Sequence, residues 1–159
     1  MSDTAHVAAE IRWLLYRHYR FEECLLKSVD WVLEGFALDF RFDYFWSDYE
    51  GLKLVRGVPE VRAGAMRTNL DTPKIVTLRL VGIQEYHLHN WMSGSDLDNL
   101  ETEPPGWGSS EVAVVDLERK SPMLAPYRHL DKDLHHLACR WERDRRIDVV
   151  FHSARVIHD

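Results

Sequence analysis

Glu85-Tyr86-His87-Leu88-His89 sets one carboxylate and two imidazoles at alternate positions. In an extended strand, alternate side chains leave one face with Cβ atoms about 6.5–7 Å apart, so Glu85, His87 and His89 would stand in a row. Such a row can ligate a divalent transition metal (Zn²⁺, Ni²⁺ or Fe²⁺) with positions left open for water or substrate. A metal-bound water would then be the nucleophile. His135, His136 or His152 could bring a further ligand from a neighbouring strand. The same alternation argues against this reading, because Tyr86 and Leu88 are its apolar members and should turn to the core. The row then lies on the wet face, and the metal-dependent enzyme stands as an alternative only.

Asp96-Leu97-Asp98-Asn99 begins like a calcium-binding loop. Such a loop needs Gly at its sixth position and a bidentate acid at its twelfth, where this chain has Glu101 and Trp107. The calcium reading fails on those two residues. Serine hydrolase chemistry has little support, since no GxSxG occurs and Ser93 lies in Met92-Ser93-Gly94 without an elbow context. Neither GxGxxG nor GxxxxGK[ST] is present, which sets aside nucleotide binding by those routes. No catalytic residue is therefore assigned. What the segment offers instead is a contact surface. Trp107 sits in a Pro/Gly loop among Asp96, Asp98, Glu101 and Glu103, a combination suited to a basic protein partner.

The wider composition agrees. Twenty Lys and Arg against 26 Asp and Glu leave a formal charge of −6, which disfavours nucleic acid as a partner. Cys24 and Cys139 form no CxxC pair and read as small buried apolar residues in a reducing compartment. No apolar run reaches the roughly 18–20 residues that span a bilayer, and no secretory leader is visible. A cytoplasmic protein with no membrane association is expected. Homodimerisation stays open.

The elements that must position these residues follow from two periods. Val7, Ile11, Leu14, Leu15 and His18 make one helical stripe, placing a helix near 4–20 capped by Asp3 or Thr4. After Cys24 the period drops to two. Leu25 to Leu33 forms one strand, Glu34-Gly35 a turn, and Leu38, Phe40, Phe42, Tyr44 and Trp46 the inward face of the return strand. Residues 47–73 lack a regular pattern; Leu52 and Leu54 suit a short strand, and Pro59 a short helix to Met66. Val76, Leu78 and Leu80 restore the alternation, Gly82 marks a bend, and 83–91 continues extended. Residues 92–110 read as a loop. Glu111 to Leu117 is a strand, and Leu134 to Arg143 pairs with Ile147, Val149 and Phe151 across a charged turn. The chain should thus be a single domain over 1–159, with a β-rich body over 24–158. The expected fold is mainly β (α+β): an antiparallel sandwich or open barrel of six to seven strands with one N-terminal helix on it.

Three segments carry a family likeness: Phe21-Glu22-Glu23-Cys24-Leu25-Leu26-Lys27-Ser28-Val29-Asp30-Trp31, Leu80-Val81-Gly82-Ile83-Gln84 and Arg146-Ile147-Asp148-Val149-Val150-Phe151-His152-Ser153-Ala154. This layout resembles small uncharacterised bacterial β-proteins, some grouped with immunity proteins of polymorphic toxin systems. Glu22-Glu23 stands where those proteins often carry His-Asp. The resemblance implies a compact, non-enzymatic binding domain, an immunity-type antagonist of a protein partner, without catalytic residues to carry over. A small-molecule-binding β domain, using the aromatic interior, is the third reading.

Overall fold

A computed structural model describes residues 4–15, 21, 24–44, 52–55, 58–61, 74–103, 109–114, 121–141 and 145–158. The fold is mainly β and antiparallel. Its strands are β1 (Thr4–Ala5), β2 (Cys24–Val32), β3 (Ala37–Asp43), β4 (Leu52–Val55), β5 (Val58–Val61), β6 (Ile75–Val81), β7 (Glu85–His89), β8 (Ser109–Val114), β9 (His135–Trp141), β10 (Arg145–Phe151) and β11 (Ser153–His158). Among the described residues two short α-helices join them, α1 (Ala8–Trp13) and α2 (Gly94–Asp98).

Nine strands form one sheet in the order β1-β11-β6-β3-β2-β8-β9-β10-β7, and β4 pairs separately with β5. The large sheet closes on itself, because β10 runs into β11 across His152 alone and β6 runs into β7 across residues 82–84. β11 pairs with β6 while β10 pairs with β7 and β9. The ring is completed by β9–β8 and a two-residue joint between β8 and β2. It is a barrel with two sharply bent strands.

Both bends lie at the same level. Gly82 has φ +74°, and a Cβ there would stand 2.9 Å from the His152 Cβ. Only glycine gives this backbone both the left-handed conformation and the room. The turned peptides are satisfied by neighbours: Gly82 and Ile83 donate to the Phe36 carbonyl, His152 to Val81 and Gln84 to Val150.

Inside the ring the two-residue period holds where it was clearest. Leu38, Phe40, Phe42 and Tyr44 are buried with Val76, Leu78, Leu80, Leu137, Cys139, Ile147, Val149 and Phe151. Phe21 closes one end, its ring 5.0 Å from Phe42 and 6.1 Å from Tyr44. Cys24 and Cys139 are buried thiols. Outside, Asp39 and Arg79 are register partners on β3 and β6 and form a two-point ion pair at 2.7 and 2.9 Å.

Several expectations are corrected. The predicted helix over 4–20 starts at Ala8, because Thr4 and Ala5 pair with Arg155 and Ala154 as an edge strand instead. Val7 stands at the N-cap without a side-chain cap and is exposed, whereas Ile11, Leu14 and Leu15 are buried as the stripe requires. Asp3 and His18 lie outside the described residues. On β2 a bulge between Leu26 and Ser28 flips the alternation: Cys24 and Leu26 are buried before it, and Val29 packs on the core after it. Pro59 opens no helix; it pairs with Leu54 in the β4–β5 hairpin. The stretch 92–110 is not wholly loop, since Ser93 and Asp96 form a reciprocal capping box that starts α2. Trp46 and the charged turn at 142–144 fall outside the described residues.

The bends set a stability test. Gly82→Ala should lose roughly 1–2 kcal/mol to the left-handed backbone and about 1–3 kcal/mol more to overlap with His152. Gly35→Ala, also at positive φ but with nothing within 4 Å of its Cβ, should lose the backbone cost alone. Urea unfolding of both variants measures the difference, and equal losses would refute the close approach.

Candidate functional site

The chemistry-bearing residues meet on the outer face of the sheet made by β7, β10 and β9. Register puts Glu85 beside Val150 and His136, and His87 beside Asp148 and Ala138. His89 lies beside Arg146 and Arg140. A 3-10 segment, Pro122–Tyr127, runs alongside this face. Ser121 starts that segment as its N-cap, with Oγ accepting the Met123 N–H at 3.3 Å, and Pro122 suits the first turn because it has no N–H to leave unpaired.

Both ends of the segment are fastened to the sheet. At one end Ser121 Oγ meets His136 Nδ1 at 2.6 Å, and His136 Nε2 meets Asp148 Oδ1 at 2.7 Å. Arg146 adds two donors to the same carboxylate, both at 2.6 Å. Ser121, His136 and Asp148 are all buried. With a proton on Nε2 the imidazole donates to the carboxylate, and Nδ1 pairs with the serine hydroxyl. At the other end the Tyr127 hydroxyl donates to Glu85 Oε1 at 2.7 Å, while Glu85 Oε2 lies 3.3 Å from His87 Nε2.

Arg146, Asp148 and Tyr127 are electrostatically perturbed here, Arg146 being pushed up first by its hydrogen bond to Asp148. Burial pushes the Asp148 carboxyl up, but hydrogen bonds from Arg146 and His136, with their charges, outweigh it and hold the group below the usual carboxylate range. Tyr127 is pushed up to about 12, first by burial and then by the hydrogen bond and charge of Glu85. A tyrosine held as the neutral donor beside a carboxylate follows directly.

Hydroxyl, imidazole and carboxylate in series make up the components of a nucleophilic triad. Here the serine is only 1% exposed, and its oxygen is already engaged by a backbone N–H as well as by the imidazole. The chain therefore works as a clamp that holds 122–127 to β9 and β10. Sequence reasoning missed it because its members are 15 and 12 residues apart. One signal was visible: Asp148 interrupts the otherwise apolar run from Ile147 to Phe151.

Of the predicted metal row, Glu85 is occupied by Tyr127 and His87, while His87 and His89 are exposed. Among the described residues no three His, Cys, Asp or Glu side chains group closely enough to hold a metal ion. Of the predicted partner-binding set, Asp98, Glu101 and Glu103 are exposed just beyond β7, and Asp96 is taken up by the capping box. Trp107 lies outside the described residues. Another group of large apolar side chains was not foreseen as a surface. Trp31 is 53% exposed and Phe36 67% at the β2–β3 turn, and Leu88 44% and Trp91 59% lie on and after β7. The Trp31 ring meets that of Tyr86 edge-on at 5.6 Å, joining the two sets. No protein-family model, curated protein or solved structure matches this chain.

The clamp can be tested by pH. Asp148 binds its proton less readily folded than unfolded, so its contribution is complete above the unfolded value near 4 and fades as pH falls through the lower folded value. Asp148→Asn should cost about 3 kcal/mol at pH 7, the low end for breaking a buried ion pair because Arg146 is partly exposed. It should also flatten the loss of stability below pH 4. An unchanged acid limb in chemical denaturation would contradict the assignment. Tyr127 has the opposite sign: its contribution is present below about pH 10 and lost as pH rises through about 12. Tyr127→Phe should remove that alkaline loss and cost about 1 kcal/mol at neutral pH.

Proposed function

We propose that this chain is a non-enzymatic binding domain for a basic protein, an antagonist of the immunity type. The observation that carries the reading is the contact of the exposed Trp31 of β2 with Tyr86 of β7, the strand that also carries the exposed Leu88. Tryptophan is a residue type that anchors protein interfaces, and Trp31 and Trp91 are both exposed. Exposed acidic groups adjoin them in the chain: Asp30 beside Trp31 on β2, Glu34 in the β2–β3 turn, and Asp98, Glu101 and Glu103 after β7. With a net charge of −6 this arrangement steers a basic partner in and disfavours acidic ones. The resemblance to immunity-type proteins points the same way.

The test is calorimetric titration of the full chain with the product of the gene adjacent to its own. A one-to-one complex is expected. Trp31→Ala, at a half-exposed site that leaves the core intact, should weaken it about 30-fold or more. Raising NaCl from low to high concentration should slow association. A neighbouring product that does not bind, or binding indifferent to Trp31→Ala, would overturn the reading.

A further inference from the structure

At one end of the nine-stranded sheet a five-residue strand has a single neighbour among the described residues. Among the described residues β7 pairs only with β10, and it ends the sheet order. The reason is geometric. β3 begins at Ala37, opposite Val81, so it covers the flank of β6 and stops where the chain bends into β7. The opposite end of the order, β1, is limited to two residues. β7 has five, with neither Pro nor Lys among them and Leu88 exposed.

Exposed edges of natural sheets are ordinarily blunted by shortness, charge, Pro or a bulge, because their free N–H and C=O groups recruit further strands. β1 follows that rule and β7 departs from it. We propose that β7 receives an extended segment of the partner protein as an added strand; this rests on the binding role argued above and names its mode. Residues of that segment on the Tyr86–Leu88 side would be apolar, reaching toward Trp31 and Trp91. Its ends would be basic. The groups around the edge define that pattern: Asp30 adjoins Trp31, whose ring meets Tyr86, Glu34 lies in the turn whose Phe36 carbonyl holds Gly82 and Ile83, and Asp98, Glu101 and Glu103 follow β7 in the chain. Glu85, His87, His89 and Arg146 occupy the outer face. A central run of uncharged residues with lysine or arginine at both ends complements this layout.

The probe is a blocked nine-residue peptide, Lys-Lys-Thr-Val-Thr-Val-Thr-Lys-Lys, added to the full chain and followed by amide hydrogen exchange. Within 85–89, the amides that face away from β10 should gain protection of at least tenfold on saturation. Replacing the central Thr of the peptide by Pro, which removes a ladder donor, should abolish that gain. Leu88→Lys should weaken peptide binding at least tenfold while leaving the thermal transition in place, since Leu88 is half exposed. Peptide binding with protection elsewhere, or no binding by the folded chain, would overturn strand addition. The calorimetric titration with the natural partner judges the binding role separately. Protection of the same amides that rises with protein concentration alone would identify the occupant as a second copy and would equally overturn the proposal.

Discussion

The close approach of Gly82 to His152 is the constraint on which the barrel depends. Two chain segments, β6 with β7 and β10 with β11, are each long enough to leave one wall and enter another. They do so only because both bend at one level, with backbones nearer than any Cβ on residue 82 would allow. The Phe36 carbonyl takes both freed N–H groups of the bend, so the β2–β3 turn is held at the same corner. Core closure, the location of the aromatic turn and the solitary flank of β7 all descend from that one crossing.

Much of this architecture was legible in local pattern. Phe40 and Phe42 on β3, Leu78 and Leu80 on β6, and Leu137, Ile147 and Val149 on the closing hairpin announce their faces through strict alternation. Gly82 announced the bend, although not what lay against it. Elements decided by distant partners were not legible. Thr4 and Ala5 are extended because β11 offers them an edge, and no property of those two residues says so. The β2 bulge reverses the faces after Lys27 without a glycine to signal it. Leu88 lies on the side that alternation assigned to the core, yet it is exposed because the barrel ends there and nothing described stands opposite.

The polar outer face shows how the fold pairs groups whose roles residue type alone leaves open. Glu85 and His87 look like ligands, and Ser121, His136 and Asp148 look like a catalytic relay. In the fold each group is answered by another: carboxylate by guanidinium and imidazole, imidazole by hydroxyl, tyrosine by glutamate. Buried polar networks stabilise a specific arrangement when every member is satisfied, and the arrangement fixed here is the placement of 122–127 against three strands.

That placement bears on recognition at the neighbouring edge. Glu85 is the first residue of β7, and its carboxylate is tied to Tyr127, whose segment is anchored in turn through Ser121 to β9. β10 then fixes β7 along its full length. An edge strand so restrained loses little conformational entropy when another strand is laid beside it, whereas a loose edge would have to be ordered at the moment of binding. The buried clamp and the exposed edge are thus mechanically linked: the hydrogen-bonded groups of the outer face hold in place a five-residue strand that has one described neighbour.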